Sequence, residues 1–105
     1  MISQPVANKN KEEIDIAYGK GSKALKALGY RVVSTTFDDG WFSDKSMRER
    51  GVTITSLCVL AESLKFMSHC SAVYFCKGWE NEKRCKMEHE AAIRYGLRVI
   101  YEKEQ

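Results

Sequence analysis

One carboxylate stands out by where it falls. In the stretch Gly78–Tyr95, GWENEKRCKMEHEAAIRY, helical spacing puts Cys85, Glu88, Ala91, Ala92 and Tyr95 on one face, because residues three and four apart are neighbours on a helix. Apart from Glu88 that face is small or apolar, so it is expected to pack inward. Lys86, Glu90 and Arg94 form the solvated arc. An acid within an inward stripe is costly unless it is paired or used. Used, Glu88 suits a general base, or a nucleophile that forms an ester with the anomeric carbon of a sugar. Paired, it is a structural acid bridged to Arg84, Arg94 or a lysine. On the pattern alone the paired role is the commoner one, since structural acids outnumber catalytic ones.

Other residues offer binding chemistry. Trp79 follows Gly78, so a planar ring could stack on the indole while the glycine lets backbone come close; Trp79 serves equally well as a lid on the core. Ser3 and Gln4 could hydrogen-bond a ligand, with the free amides of the next helix as a phosphate site, although no glycine-rich phosphate fingerprint accompanies them. Trp41-Phe42 could close over a base, or pack on the domain or on another subunit. Cys85 shares the face of Glu88 and is read as a packed small side chain in preference to a reactive thiol. His89 falls one position off that face and is read as a surface histidine. The four cysteines, Cys58, Cys70, Cys76 and Cys85, are separated by eleven, five and eight intervening residues and match no zinc spacing. Buried reduced thiols are expected, with no metal and no cofactor.

The elements that must position these residues follow from periodicity. Met1-Ile2-Ser3 reads as a very short first strand. Asn10, with Glu13 three residues on, signals a helix start, and Ile14, Ala17, Tyr18, Gly21, Leu25 and Leu28 give it one buried face before Gly29. Tyr30–Thr36 is β-branched and reads as a strand. Phe37–Val52 reads as a long loop, with a turn at Asp38-Asp39-Gly40 and at most a helical turn over Met47–Arg50. A second helix is expected to be capped near Thr53–Thr55 and to bury Leu57, Leu60, Ala61, Leu64 and Met67, with Ser63 beside them. Ser71–Cys76 is a short apolar strand, Glu82–Tyr95 the third helix, and Leu97–Tyr101 the last strand.

This alternation predicts a single α/β domain over residues 1–105: four parallel strands and three main helices in three layers. Ligands of such sheets bind beyond the carboxyl ends of the strands. The loops leaving those ends carry Gln4, Asp38, Asp39, Trp41, Gly78, Trp79 and Glu80. A net charge of +3, interleaved along the chain, gives little support for a nucleic-acid polymer as partner. No apolar run is long enough for a membrane span and no secretory pattern opens the chain, so a cytoplasmic protein is expected.

Two segments together resemble a small uncharacterised family of bacteria and their phages. Met1-Ile2-Ser3-Gln4-Pro5-Val6 with Lys11-Glu12-Glu13-Ile14 is similar to its ISQPM…EEI opening. Ala72–Glu80, Cys85–Ala91 and Tyr95–Tyr101 are similar to its strand, GWE and CxxEH signature, and Leu60–Leu64 fits the segment between. That family is distantly similar to nucleoside 2-deoxyribosyltransferases and nucleotide N-glycosidases. The resemblance implies a flavodoxin-like fold, a homo-oligomer, and a nucleoside or nucleotide as the small-molecule partner. It implies Glu88 as the catalytic nucleophile and Ser3, Gln4 and Pro5 as sugar or phosphate contacts. Gly78, Trp79, Glu80, Ser63 and Asp38 complete the expected binding set, with Glu80, Asp38 and Asp39 as possible proton donors. A non-catalytic binder that sequesters a nucleotide-derived molecule is the alternative. Two positions depart from the family: Ser71 stands where it has Asp, and Arg84 where it has Gly. The Arg84 guanidinium could pair with Glu88, and such a closure would favour a third option, an interaction module with a collapsed cleft.

Overall fold

The apolar runs at Ala72–Cys76 and Leu97–Tyr101 find each other, and the sheet is built around the first of them. The computed structural model describes residues 1–32 and 40–103. In chain order the elements are β1 (Ile2–Ser3), α1 (Lys11–Ala27), α2 (Asp44–Glu49), α3 (Thr55–Met67), β2 (Ala72–Phe75), a 3-10 turn (Trp79–Asn81), α4 (Lys83–Arg94) and β3 (Arg98–Tyr101). Among the described residues the sheet has three parallel strands in the order β1-β2-β3. Ile2 lies opposite Tyr74 and Ser3 opposite Phe75, while Val73 and Phe75 lie opposite Val99 and Tyr101. The chain is therefore a mixed α/β protein.

The central strand is buried on both faces, as a strand in a parallel sheet should be. Its side chains alternate between two cores. Val73 and Phe75 meet Met1, Met67 and Ala92 beneath α3 and α4. Tyr74 and Cys76 meet Ile2 and Leu25, with Ala17 and Tyr18 of α1 packed alongside.

Helix α1 starts where the sequence places it, with Asn10 Oδ1 accepting from the Glu13 backbone N–H at 2.8 Å. Gly21 and Leu25 are its buried residues, and Leu28 is exposed. Gly21 permits the helix to approach the sheet. A Cβ there would stand 2.9 Å from Tyr74 Cδ1 and 3.4 Å from Ile2 Cδ1. At Gly19, on the open side, a Cβ would meet nothing within 4 Å. Gly→Ala at the two sites should therefore move stability in opposite directions. Gly19→Ala should gain up to about 1 kcal/mol from helix propensity, while Gly21→Ala should lose about 1 kcal/mol or more from overpacking. Paired thermal melts check this, and a stabilised Gly21→Ala would refute the close approach.

Three expectations change. Residues 37–52 are not wholly loop: α2 occupies Asp44–Glu49, its start capped by Ser43 Oγ, which accepts from the Ser46 N–H at 3.2 Å, and Met47 is buried. The described residues thus hold four helices and not three. Helix α3 has no side-chain cap and turns a different face inward: Leu60, Ser63 and Met67 are buried, while Leu57 and Leu64 are exposed. The second expected strand, Tyr30–Thr36, lies largely outside the described residues, and its described part, Tyr30–Val32, is not in a strand. Among the described residues no helix is long and apolar enough to cross a membrane.

Candidate functional site

The carboxyl ends of β1 and β2 bring the first loop of the chain against the start of α4, some eighty residues later. Gly78 turns the chain there with φ +92, a left-handed conformation that suits glycine, and a Cβ there would reach contact with Pro5 Cγ at 3.4 Å. The turn leads through Trp79–Asn81 into α4, which presents Cys85, Glu88 and Ala92 inward, all fully buried. Tyr95, expected on that face, follows the last residue of α4 as its C-cap and is 86 % exposed.

Glu88 is both buried and paired. Ser3 Oγ donates to its Oε1 at 3.0 Å. Arg84 Nη1 donates to Oε1 at 2.9 Å and to Oε2 at 3.4 Å. The other guanidinium nitrogen, Nη2, donates to the Gln4 carbonyl at 2.9 Å and to Glu82 Oε1 at 3.2 Å. Glu82 Oε2 in turn accepts from the Val6 N–H at 2.8 Å. A single guanidinium therefore ties the β1–α1 loop to the first two turns of α4. Burial pushes the Glu88 carboxyl above the usual carboxylate range, against the pull of Arg84 and Ser3. A nucleophile needs a free oxygen facing substrate. Here both oxygens are engaged and the side chain has no exposed surface.

Of the expected site residues, Ser3, Gln4 and Pro5 are buried beside this network. Gln4 contributes its carbonyl, while its Oε1 is buried with no partner among the described residues. Ser63 is buried on α3, and among the described residues no hydrogen bond joins it to Glu88. Asp38 and Asp39 lie outside the described residues.

Trp79 and Glu80 belong to a different opening at the same edge. A hollow of about 330 Å³ is lined by Phe75, Lys77, Trp79, Glu80, Tyr101 and Glu102. Its wall is aromatic. Trp79 stacks on His89 with ring centroids 4.1 Å apart, and His89 Nε2 lies 2.6 Å from the Tyr101 hydroxyl. Phe75 supports all three from below. His89 and Tyr101 escaped the sequence reading. His89 is half-buried and not a surface histidine, because β3 supplies a partner that helical periodicity cannot see. An aromatic at the last position of a strand was the available signal for Tyr101.

Cys76 and Cys85 are packed thiols, pushed by burial to about 12 and about 11. Native protein treated with a maleimide should label Cys58 and Cys70, which are half-buried, at least about tenfold faster than Cys76 and Cys85. Peptide mass spectrometry reads the order, and fast labelling at Cys85 would contradict its packing. Among the described residues no group of three or more metal-ligating side chains is assembled. Comparison with protein-family models, with curated proteins and with solved structures finds no match to this chain.

Proposed function

We propose that the chain is a nucleoside- or nucleotide-binding protein whose ligand occupies the carboxyl edge of the sheet and leaves it chemically unchanged. One contrast supports this reading above others. The Glu88 carboxyl is fully buried under Arg84 and Ser3, whereas Trp79 and Tyr101 wall an open hollow at the same edge. Stacked aromatic side chains suit a planar base. The parallel order β1-β2-β3, with helices on both faces, supports a flavodoxin-like fold, in which ligands sit at this edge. Exposed apolar side chains at Leu57, Met87, Ile93 and Tyr95 support a homo-oligomer.

The test joins a thermal-shift screen of nucleosides and nucleotides to chromatography of the recovered ligand. A raised melting point with the ligand intact is expected, since a ligand that binds only the folded form stabilises it. No shift with any of them would remove the reading and leave an interaction module with a closed cleft.

A second reading, an N-glycosidase or deoxyribosyltransferase, is favoured by the Ser3–Glu88 bond, which sets the carboxyl at the end of β1. Glu88 would attack the anomeric carbon and form a glycosyl ester. The glycosidic C–N bond would break, with the base taking a proton from water. Water or a second base would then release the sugar and restore Glu88. Arg84 must first let go of both oxygens. Arg84→Gly removes that clamp, so free base released by this variant, with a glycosyl mass on Glu88, would establish the second reading. An inactive, folded Arg84→Gly would dismiss it.

A further inference from the structure

The aromatic hollow is half of a longer feature. A second hollow of about 460 Å³ lies along the first turns of α1, lined by Lys9, Glu13, Ile16, Ala17, Lys20, Cys76, Lys77 and Glu102. The two share Lys77 and Glu102, the residues that follow β2 and β3. Phe75 and Tyr101 face the α4 side of the sheet and Cys76 faces α1. The combined groove therefore passes over the carboxyl edge from one face to the other. The Glu102 N–H, bonded to the Phe75 carbonyl at 2.9 Å, fixes the crest between the two halves.

The halves differ in chemistry. Lys77 and Glu102 stand at the crest and belong to both halves. To these the aromatic half adds the Glu80 carboxylate beside Trp79 and Tyr101, and the α1 half adds two lysines, Lys9 and Lys20, with the Glu13 carboxylate alongside. Burial and the Glu102 carboxylate hold the Cys76 thiol high, and Lys9 and Lys20 oppose them from the α1 side, so both lysines stand near the floor of the groove. Carboxylates beside a stacking wall suit the ring N–H and amino donors of a base, and clustered ammonium groups suit phosphate oxygens. We infer that this groove binds a phosphorylated nucleoside, with the base against Trp79 and Tyr101 and the phosphate among Lys9, Lys20 and Lys77. This rests on the nucleotide-binding reading and deepens it, because it makes the phosphate a determinant of affinity and leaves Glu88 outside the contact set.

Calorimetric titration with guanosine 5′-monophosphate, guanosine and inorganic phosphate tests the assignment on wild type and on Lys9→Ala/Lys20→Ala. The three lysines are at the surface or half-buried, so the double variant should keep the circular dichroism and melting profile of the parent. The monophosphate should bind wild type at least about tenfold more tightly than guanosine, a difference of about 1.4 kcal/mol. Lys9→Ala/Lys20→Ala should erase most of that advantage and leave the guanosine affinity unchanged. Equal affinities for monophosphate and guanosine, or a double variant that still distinguishes them as wild type does, would overturn the phosphate assignment while nucleoside binding stands. Binding of inorganic phosphate alone, unaffected by the double variant, would also overturn it. Failure of all three probes to bind would take down the nucleotide-binding reading together with this one.

Discussion

Arg84→Ala is expected to lose about 3–5 kcal/mol of folding stability at neutral pH, the penalty of leaving a buried carboxylate without its cation. Glu88 has no exposed surface, and Arg84 is its sole basic partner, through two hydrogen bonds at 2.9 and 3.4 Å, among the described residues. The same substitution also frees the Gln4 carbonyl and Glu82. The pH dependence follows from the direction of the Glu88 shift. Its folded-state pKa is raised by burial, so the folded chain holds the proton more tightly than the unfolded chain does. The contribution of Glu88 to stability is then greatest at acid pH, declines as pH rises through the raised pKa, and is flat above it. Without the downward pull of the guanidinium, the decline in Arg84→Ala should run deeper and to higher pH. The deficit of the variant should thus shrink on acidification. Adding Glu88→Gln should recover most of it, since the charge that needed pairing is gone. Urea denaturation of the two single variants and the double variant across pH gives the coupling energy, expected to exceed about 1 kcal/mol. An Arg84→Ala within 1 kcal/mol of wild type would mean that Glu88 is protonated or otherwise satisfied.

Phe75→Ala is expected to lose about 3–5 kcal/mol, the range for deleting a buried aromatic ring. Phe75 is fully buried at the end of β2, with ring centroids 5.5 Å from Trp79, 5.0 Å from His89 and 6.3 Å from Tyr101. It is the floor on which the aromatic wall rests. Phe75→Leu retains most of the volume and should lose under about 1.5 kcal/mol. Denaturant midpoints rank the two variants. A leucine variant as unstable as the alanine variant would show that ring contacts, and not volume, hold the wall. If the alanine variant still folds, its nucleoside affinity should fall as well, because Trp79 and Tyr101 lose their support.

The elements that local chemistry dictates were legible in the sequence. Asn10 caps α1 because a side-chain acceptor before a helical run has one good use there. Glu88 and Cys85 were assigned inward correctly from spacing alone, and the Arg84 pairing follows from a four-residue offset on a helix. What periodicity cannot give is which neighbour covers a face. Leu57 and Leu64 remain exposed, while Leu60, Ser63 and Met67 are the buried residues of α3 and Met67 packs with Ala92 of α4. Tyr95 fails in the same way at the end of α4. Helix α2 was visible only as a helical turn over Met47–Arg50, because six residues with one buried side chain, Met47, carry almost no period. The aromatic wall was half visible: Trp79 announces itself after Gly78, but the Trp79–His89–Tyr101 stack joins three elements and exists only once β3 has docked.

The bond between Ser3 and Glu88 spans 85 positions of sequence, and the amino group of Met1 reaches the Ala72 carbonyl across 71. During synthesis residues 1–3 must therefore wait without these partners until β2 and α4 have been made. Helix α1 can form early, but the surface that receives its buried side is completed by β2. Such distant closure slows acquisition of the native state. The early residues would spend that interval accessible to chaperones and proteases, and a ribosome stalled before Glu88 would hold a chain whose first strand has no clamp.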